Sequence, residues 1–341
     1  MKDLFINGIG NVSPQRTFDN SLFLEEILPA ENHLLKVVDP VYKDYVPADM
    51  IRRMSRIIKM GIASAFICLK DAGISMPDAI VTGTGLGCIE DTEKFLSNMI
   101  RNNEEFLTPT SFIQSTHNTV SAQIALLLKC HNYNFTYVHR GFSFESALLD
   151  AFLQINSGNA GNVLLGGMDE MTKDTFNIMK RMGFWRNGVS AGEGSAFFLL
   201  SGTKGQKDYG KIRGLDMFYR PGINEIPSRI ENFLTRYGKS ISDIDLLITG
   251  KNGNPAEDSA YHQAIDMFPG IPVAGFKHLS GEYHTAGAFG LWLAAKIMQS
   301  QTIPAAVKQN DLQEKSFRNI LLYNHYKNIN HSLILLSRHD V

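Results

Sequence analysis

Cysteine is scarce: Cys68, Cys88 and Cys130 are the only three in 341 residues, and no two stand at metal-ligand spacing. So small and odd a number argues against a disulfide framework or a metal site and points to free thiols in a reducing compartment. Long apolar runs are missing too, since no stretch approaches the ~18 uninterrupted residues that a spanning helix needs. The opening MKDLFINGIGNVSP is too short and too polar for a signal peptide, so the cytoplasm is the expected location. Nor is there an excess of charge of either sign. A net charge of -1 and a pI of 6.8 give no electrostatic reason to expect a nucleic-acid or membrane partner. With 44% hydrophobic and 20% charged residues, the chain has the composition of an ordinary globular protein and can bury a sizeable core.

What is present is an alternation of helix and strand. The spacing of Ile51, Met54, Ile58, Ile62, Ala65 and Leu69 predicts one long helix from about Asp49 to Ala72, with Arg52, Arg53, Arg56 and Lys59 on its other face. A strand at Ala79–Thr82 runs into Gly83-Thr84-Gly85-Leu86-Gly87. The loop lacks the Lys-Ser/Thr of a phosphate-binding loop, so its glycines are read as allowing close backbone packing. The stretch Thr108–Met171 then reads as a polar turn, a helix (Val120–Leu128), a strand (Phe135–Val138), a tight corner at Gly141, a helix (Ser146–Ile155) and a buried strand at Val163–Leu165. Unpaired N–H groups at such a strand-corner-helix junction stabilise an anion, which suits a nucleophile. From Tyr209 the alternation restarts and ends on strands near Ile320–Tyr323 and Ser332–Leu336. The reading is therefore an α/β protein of two halves, residues 1–205 and 206–341.

GTGLG (83–87), TPTSFIQSTHNTVSAQIAL (108–126), the Gly141 corner with ALLDA (147–151), GNVLLGGMDEM (161–171) and GEGSAFFLL (192–200) together resemble the β-ketoacyl synthases. The match covers the N-terminal half well and the C-terminal half thinly. The resemblance implies a thiolase-like, five-layer αβαβα architecture from two similar halves, dimeric through the strand containing Phe135 and Tyr137. Position by position it also implies losses. The nucleophilic cysteine falls at Gly141. The first catalytic histidine falls at Gly250, in a loop where Pro255 and Asp258 are kept. The family lysine is Lys277, the second histidine slot holds Glu282, and His284 stands two residues further on. The glycine-rich gate is represented by Asn324 to Asn330. Decarboxylative condensation needs a thiolate and two imidazoles acting as a set, so losing all three is hard to reconcile with that chemistry.

Other groups are candidate substitutes. Ser143 beside His139 offers a conceivable nucleophile, Cys88 reads as a small packing residue, and His117 reads as a helix cap. Lys277, Glu282 and His284 read as a capping network at the helix start near Thr285. No cofactor and no metal are implied. The resemblance suggests a non-catalytic, chain-length-factor-like subunit that pairs with an active ketosynthase and meets an acyl carrier protein. The compact length resembles the subunits of aryl-polyene or flexirubin-type pathways. Thr116, His117, Thr119, Val120 and Phe142 would then lie near the tunnel end, where enlarging Thr119 to phenylalanine shortens the partner's products. Arg52, Arg53, Arg56 and Lys59 would dock the acidic carrier. The alternatives are an acyltransferase, esterase or decarboxylase using Ser143, Glu282 or His284, and a homodimeric scaffold that only binds carrier protein.

Overall fold

Strand β1 (Leu4–Val12) opens the computed structural model, which describes residues 3–207, 209–313 and 316–339. It is followed by β2 (Leu34–Leu35), α1 (Ala48–Ile51), α2 (Arg56–Ala72), β3 (Ala79–Gly83), α3 (Ile89–Arg101) and α4 (Pro109–Gln114). Next come α5 (Thr119–Leu128), β4 (Tyr133–Tyr137), α6 (Ser143–Asn156), β5 (Asn162–Asp169), α7 (Lys173–Arg181), β6 (Ala191–Gly192) and β7 (Gly194–Ser201). The C-terminal part holds β8 (Lys211–Tyr219), α8 (Ile226–Arg236), β9 (Leu246–Thr249), α9 (Pro255–Asp266) and β10 (Val273–Gly275). It closes with α10 (Lys277–Ser280), α11 (Gly287–Ser300), β11 (Asn319–Tyr326) and β12 (Asn330–Ser337).

Ten of the strands join in the order β10-β9-β11-β12-β8-β1-β7-β5-β3-β4. From the centre outwards, β1-β7-β5-β3-β4 and β8-β12-β11-β9-β10 have the same pattern: two antiparallel contacts followed by two parallel ones. The sets meet where Leu4 and Phe5 pair with Ile212 and Lys211, and Ile6 N–H donates to Gly210 O at 3.0 Å. Strand β4 is paired on one side, to β3, and forms an edge among the described residues.

Because successive strand residues point to opposite faces, each buried strand feeds two cores. In β7, Ala196, Phe198 and Leu200 enter a central cluster with α6 and α11, while Phe197 and Leu199 enter a second cluster with α2 and α5. In β11, Ile320 and Leu322 join the central cluster, and Leu321 and Tyr323 a third one with α8 and α9. The layers are thus helices, sheet, central helices, sheet, helices, the thiolase-like arrangement expected.

Two local expectations are corrected. The helix anticipated from Asp49 is two helices, because Ser55 takes an extended conformation (φ -66, ψ 171) and α2 starts at Arg56. The Arg56 N–H is directed to Glu90 Oε2 (3.4 Å), which turns the chain there. Helices α3 and α4 have no counterpart in the sequence reading. In α3 the apolar Leu96 and Ile100 are 44% and 75% exposed, so periodicity there does not mark a core face.

Candidate active site

The corner survives in backbone form. His139 to Phe142 turns β4 into α6, and Arg140 takes a left-handed φ of 54, an uncommon conformation for a residue with a side chain. Gly141 occupies the position where the resemblance expects a nucleophile, and the space beyond it is already filled. A Cβ built on Gly141 would lie 2.6 Å from Tyr326 Cβ and 3.0 Å from both Tyr326 Cγ and Asn330 Oδ1. Tyr326 is delivered by the β11–β12 hairpin. Its turn carries positive φ at Lys327 (57) and Asn328 (51) and is closed by Ile329 N–H to Tyr326 O at 3.0 Å. The ring also stacks on His284, with centroids 4.6 Å apart.

The histidine slots are closed in the same way. A Cβ on Gly250 would meet Asn324 Oδ1 at 2.5 Å, Tyr261 Oη at 2.6 Å and Lys277 Cε at 2.9 Å. Glu282 is 1% exposed and accepts from Lys277 Nζ at 2.9 Å and from Asn252 Nδ2 at 2.9 Å. Lys277, 2% exposed, also donates to His325 O at 2.6 Å. Asn252 donates further to Glu257, which is paired with Lys327 at 3.0 Å. The Lys277 ammonium is thus committed to a carboxylate and a carbonyl, which rules out its use as a free amine in this geometry.

The sequence reading gave Asp169 no role and had Tyr326 and His325 only as members of the gate segment. Asp169 Oδ1 accepts from Gly85 N–H (2.7 Å), Leu86 N–H (3.3 Å) and Thr84 Oγ1 (3.1 Å), so the glycine loop holds an internal carboxylate. Its Oδ2 accepts from Thr285 N–H (2.9 Å) and Oγ1 (2.8 Å), just ahead of α11. The start of α11 is therefore served by Asp169, while Lys277 and Glu282 bind each other. The signal was the acidic residue that ends a buried strand in GGMDEM.

Among the substitute groups, Ser143 is buried, donates to Arg140 O (2.8 Å) and accepts from His139 N–H (2.8 Å). The His139 imidazole instead contacts Ser146 Oγ at 2.9 Å. Burial raises the Cys88 thiol far above its ordinary range and lowers the His284 imidazole, against the pull of Asp169. His117 is exposed beside Gly87, and the residue before α5 is Asn118, with no side-chain cap. Thr116 is exposed and Phe142 partly so, whereas Thr119 and Val120 are buried. The Thr119 hydroxyl reaches Ile113 O at 3.1 Å. Arg52 and Arg53 are exposed. Arg56 binds Glu193 and Asp39, and Lys59 lies 5.7 Å over the Tyr42 ring.

Burial also sets a pH response. Desolvation lowers His331 to about 4 and His325 well below the imidazole range. It raises Glu145 to about 7 and Glu170 to about 8. Depressed histidines give stability that is present above the unfolded pKa of ~6.5 and lost as pH falls towards the folded values. Raised glutamates give stability that is present below ~4.5 and lost as pH rises through the folded values. Glu170→Gln is therefore expected to exceed the wild type by roughly 3–5 kcal/mol at pH 9 and to show no gain at pH 5, as read from urea unfolding at both pH values. An equal effect at both would show that the carboxyl is not held protonated.

Comparisons with known proteins bear on the family and the fold. The family profile described as "Beta-ketoacyl synthase, N-terminal domain" matches residues 29–201. No curated protein matches by sequence. A structure described as the ishigamide ketosynthase/chain length factor superposes with a TM-score of 0.80 at 18% identity, covering 99% of this chain and 100% of that one. A β-ketoacyl synthase from Burkholderia phymatum STM815 gives 0.77 at 16%, covering 99% and 100%. The type II polyketide complex AntDE:AntF, an acyl-carrier protein with its ketosynthase bound to the hexaketide, gives 0.77 at 13%, covering 99% of each chain. At these identities the likeness is one of fold.

Proposed function

Because the chain belongs to the β-ketoacyl synthase family, we propose that it is a non-catalytic, chain-length-factor-type subunit that pairs with a cysteine-bearing ketosynthase. Residues 1–205 and 206–341 are taken as its two halves. The observation that carries this reading is the filled corner: Tyr326 occupies the volume into which a nucleophile on residue 141 would project. A site lacking a nucleophile, with its lysine tied to a carboxylate, has no acyl group to hold and no base to free.

Pairing is supported by the edge strand β4. Tyr133 and Phe135 are 42% and 48% exposed, and Leu126 on α5 and Leu153 on α6 flank them at 67% and 55%. An unpaired strand with aromatic side chains and apolar neighbours is a template for another chain. In this reading the occupant is the matching strand of the ketosynthase, and the exposed Thr116 and His117 face the far end of its acyl tunnel. Arg52 and Arg53 remain available to an acidic carrier protein.

Co-expression with a cysteine-bearing ketosynthase tests the proposal. A one-to-one complex is expected, with elongation only in the complex and product length altered by Thr116→Phe. A chain that purifies only as a homodimer, or that elongates a carrier-bound substrate alone, would overturn it.

A further inference from the structure

The β11–β12 hairpin presents Tyr326 to the corner at one end, and at the other its strands open onto a second, polar cavity. Each strand is eight residues long, so the two ends lie roughly 20–25 Å apart. The cavity, of ≈ 320 Å³, is lined by Arg213 from β8, Lys239 after α8, Arg318 before β11 and Arg338 after β12. That volume is room for about ten waters.

Two acids share the lining, and both already serve the backbone. Asp245 Oδ2 accepts from the N–H groups of Arg318 and Asn319, each at 2.8 Å. Asp243 Oδ2 accepts from Ser240 N–H and Oγ, each at 2.8 Å, which lowers its pKa. The cations are not spent in the same way. Lys239, Arg318 and Arg338 close no ion pair among the described residues. Arg213 Nε is buried without a hydrogen bond and stands 3.6 Å from Asp3 Oδ1, a carboxylate that Lys211 already binds at 3.0 Å. The described lining carries four basic side chains against two acidic ones, and the Asp3 carboxylate behind Arg213 is shared with the Lys211 cation, so the described residues keep an excess of two positive charges.

The geometry points to a binding site here for a phosphate-bearing small molecule. Guanidinium groups match phosphate oxygens bidentately, and those of Arg318 and Arg338 close no ion pair among the described residues. An excess of two charges balances a phosphate dianion, and the remaining volume accepts the group that carries it. The site owes nothing to the corner chemistry and stands whether or not the chain pairs with a ketosynthase.

Calorimetric titration of the full chain with inorganic pyrophosphate, and with sulfate alongside, tests it. Saturable one-site binding of pyrophosphate is expected with a Kd below about 1 mM. It should weaken at least about tenfold in Arg318→Ala/Arg338→Ala and stay unchanged in Lys180→Ala/Arg181→Ala, which removes two exposed cations elsewhere. Thermal unfolding of each variant without ligand establishes that it is folded, and Lys239→Ala provides an independent loss should the double variant fail to fold. Absent saturation, binding undiminished in the lining variants, or equal binding of sulfate would each overturn the assignment.

Discussion

Lys277→Met is expected to lower the unfolding free energy by about 3–5 kcal/mol, a large share of a typical domain's stability. The Lys277–Glu282 pair is almost wholly removed from water, at 2% and 1% exposure, so the ammonium cannot be replaced by solvent. Its loss strands the Glu282 carboxylate with Asn252 as its hydrogen-bond partner and takes the ammonium from the His325 carbonyl. The cost is mainly that of a buried charge left alone, because two charges taken out of water together gain little net energy. Lys277→Met/Glu282→Gln should therefore recover most of the loss, since glutamine keeps the Asn252 contact and carries no charge. Urea unfolding of the wild type, both single variants and the double variant completes the cycle. A single variant costing under about 1 kcal/mol, or a double variant worse than either single one, would show that the pair is not what holds this region together.

The same network shows where sequence reasoning reached and where it stopped. Element type was legible wherever burial repeats with a clear period. The strand read at Ala79–Thr82 is β3, Ala79–Gly83, and the one read at Val163–Leu165 lies within β5, Asn162–Asp169. Starts were harder. Helix α6, read from Ser146, begins at Ser143, whose hydroxyl donates to Arg140 O (2.8 Å). The positions the resemblance assigns to the nucleophile and the histidines, Gly141, Gly250 and Glu282, could be named from order along the chain. What fills those positions could not, because Tyr326 lies 185 residues beyond Gly141 and Asn324 lies 74 beyond Gly250. Nothing local in either stretch announces the contact. A glycine read alone could mean a turn, an anion cradle or an absent side chain, and only the packing of a distant hairpin decides between them. Likewise the Arg56 positive charge looked free until Glu193, from a different motif, closed on it.

Gly141→Cys is the substitution that tests this packing most directly, because it puts a thiol where the resemblance places the family's nucleophile. It is expected to destabilise the chain by about 1–3 kcal/mol, the usual cost of overpacking, and to leave it unable to take up an acyl group. The new Cβ meets Tyr326 Cβ at 2.6 Å, so either the hairpin or the corner must shift before a thiol can face a substrate. Even a well-placed thiolate would lack its partners, since one imidazole position is a glycine crowded by Tyr261 and Asn324 and the other is a carboxylate bound to Lys277. Members of a catalytic set contribute non-additively, so restoring one of three returns almost none of the rate. The native thiols give a quiet background, because Cys68, Cys88 and Cys130 are all buried and burial holds the first two far from the thiolate form. Gly141→Cys/Tyr326→Ala separates access from chemistry: emptying the corner should let a maleimide label the new cysteine quickly, whereas the single variant labels slowly. Intact mass after exposure to an acyl-loaded carrier, together with an assay for decarboxylation of a malonyl carrier, should stay negative for both. If the single variant both loads and elongates, Tyr326 is a movable gate over a working site, and the non-catalytic assignment falls.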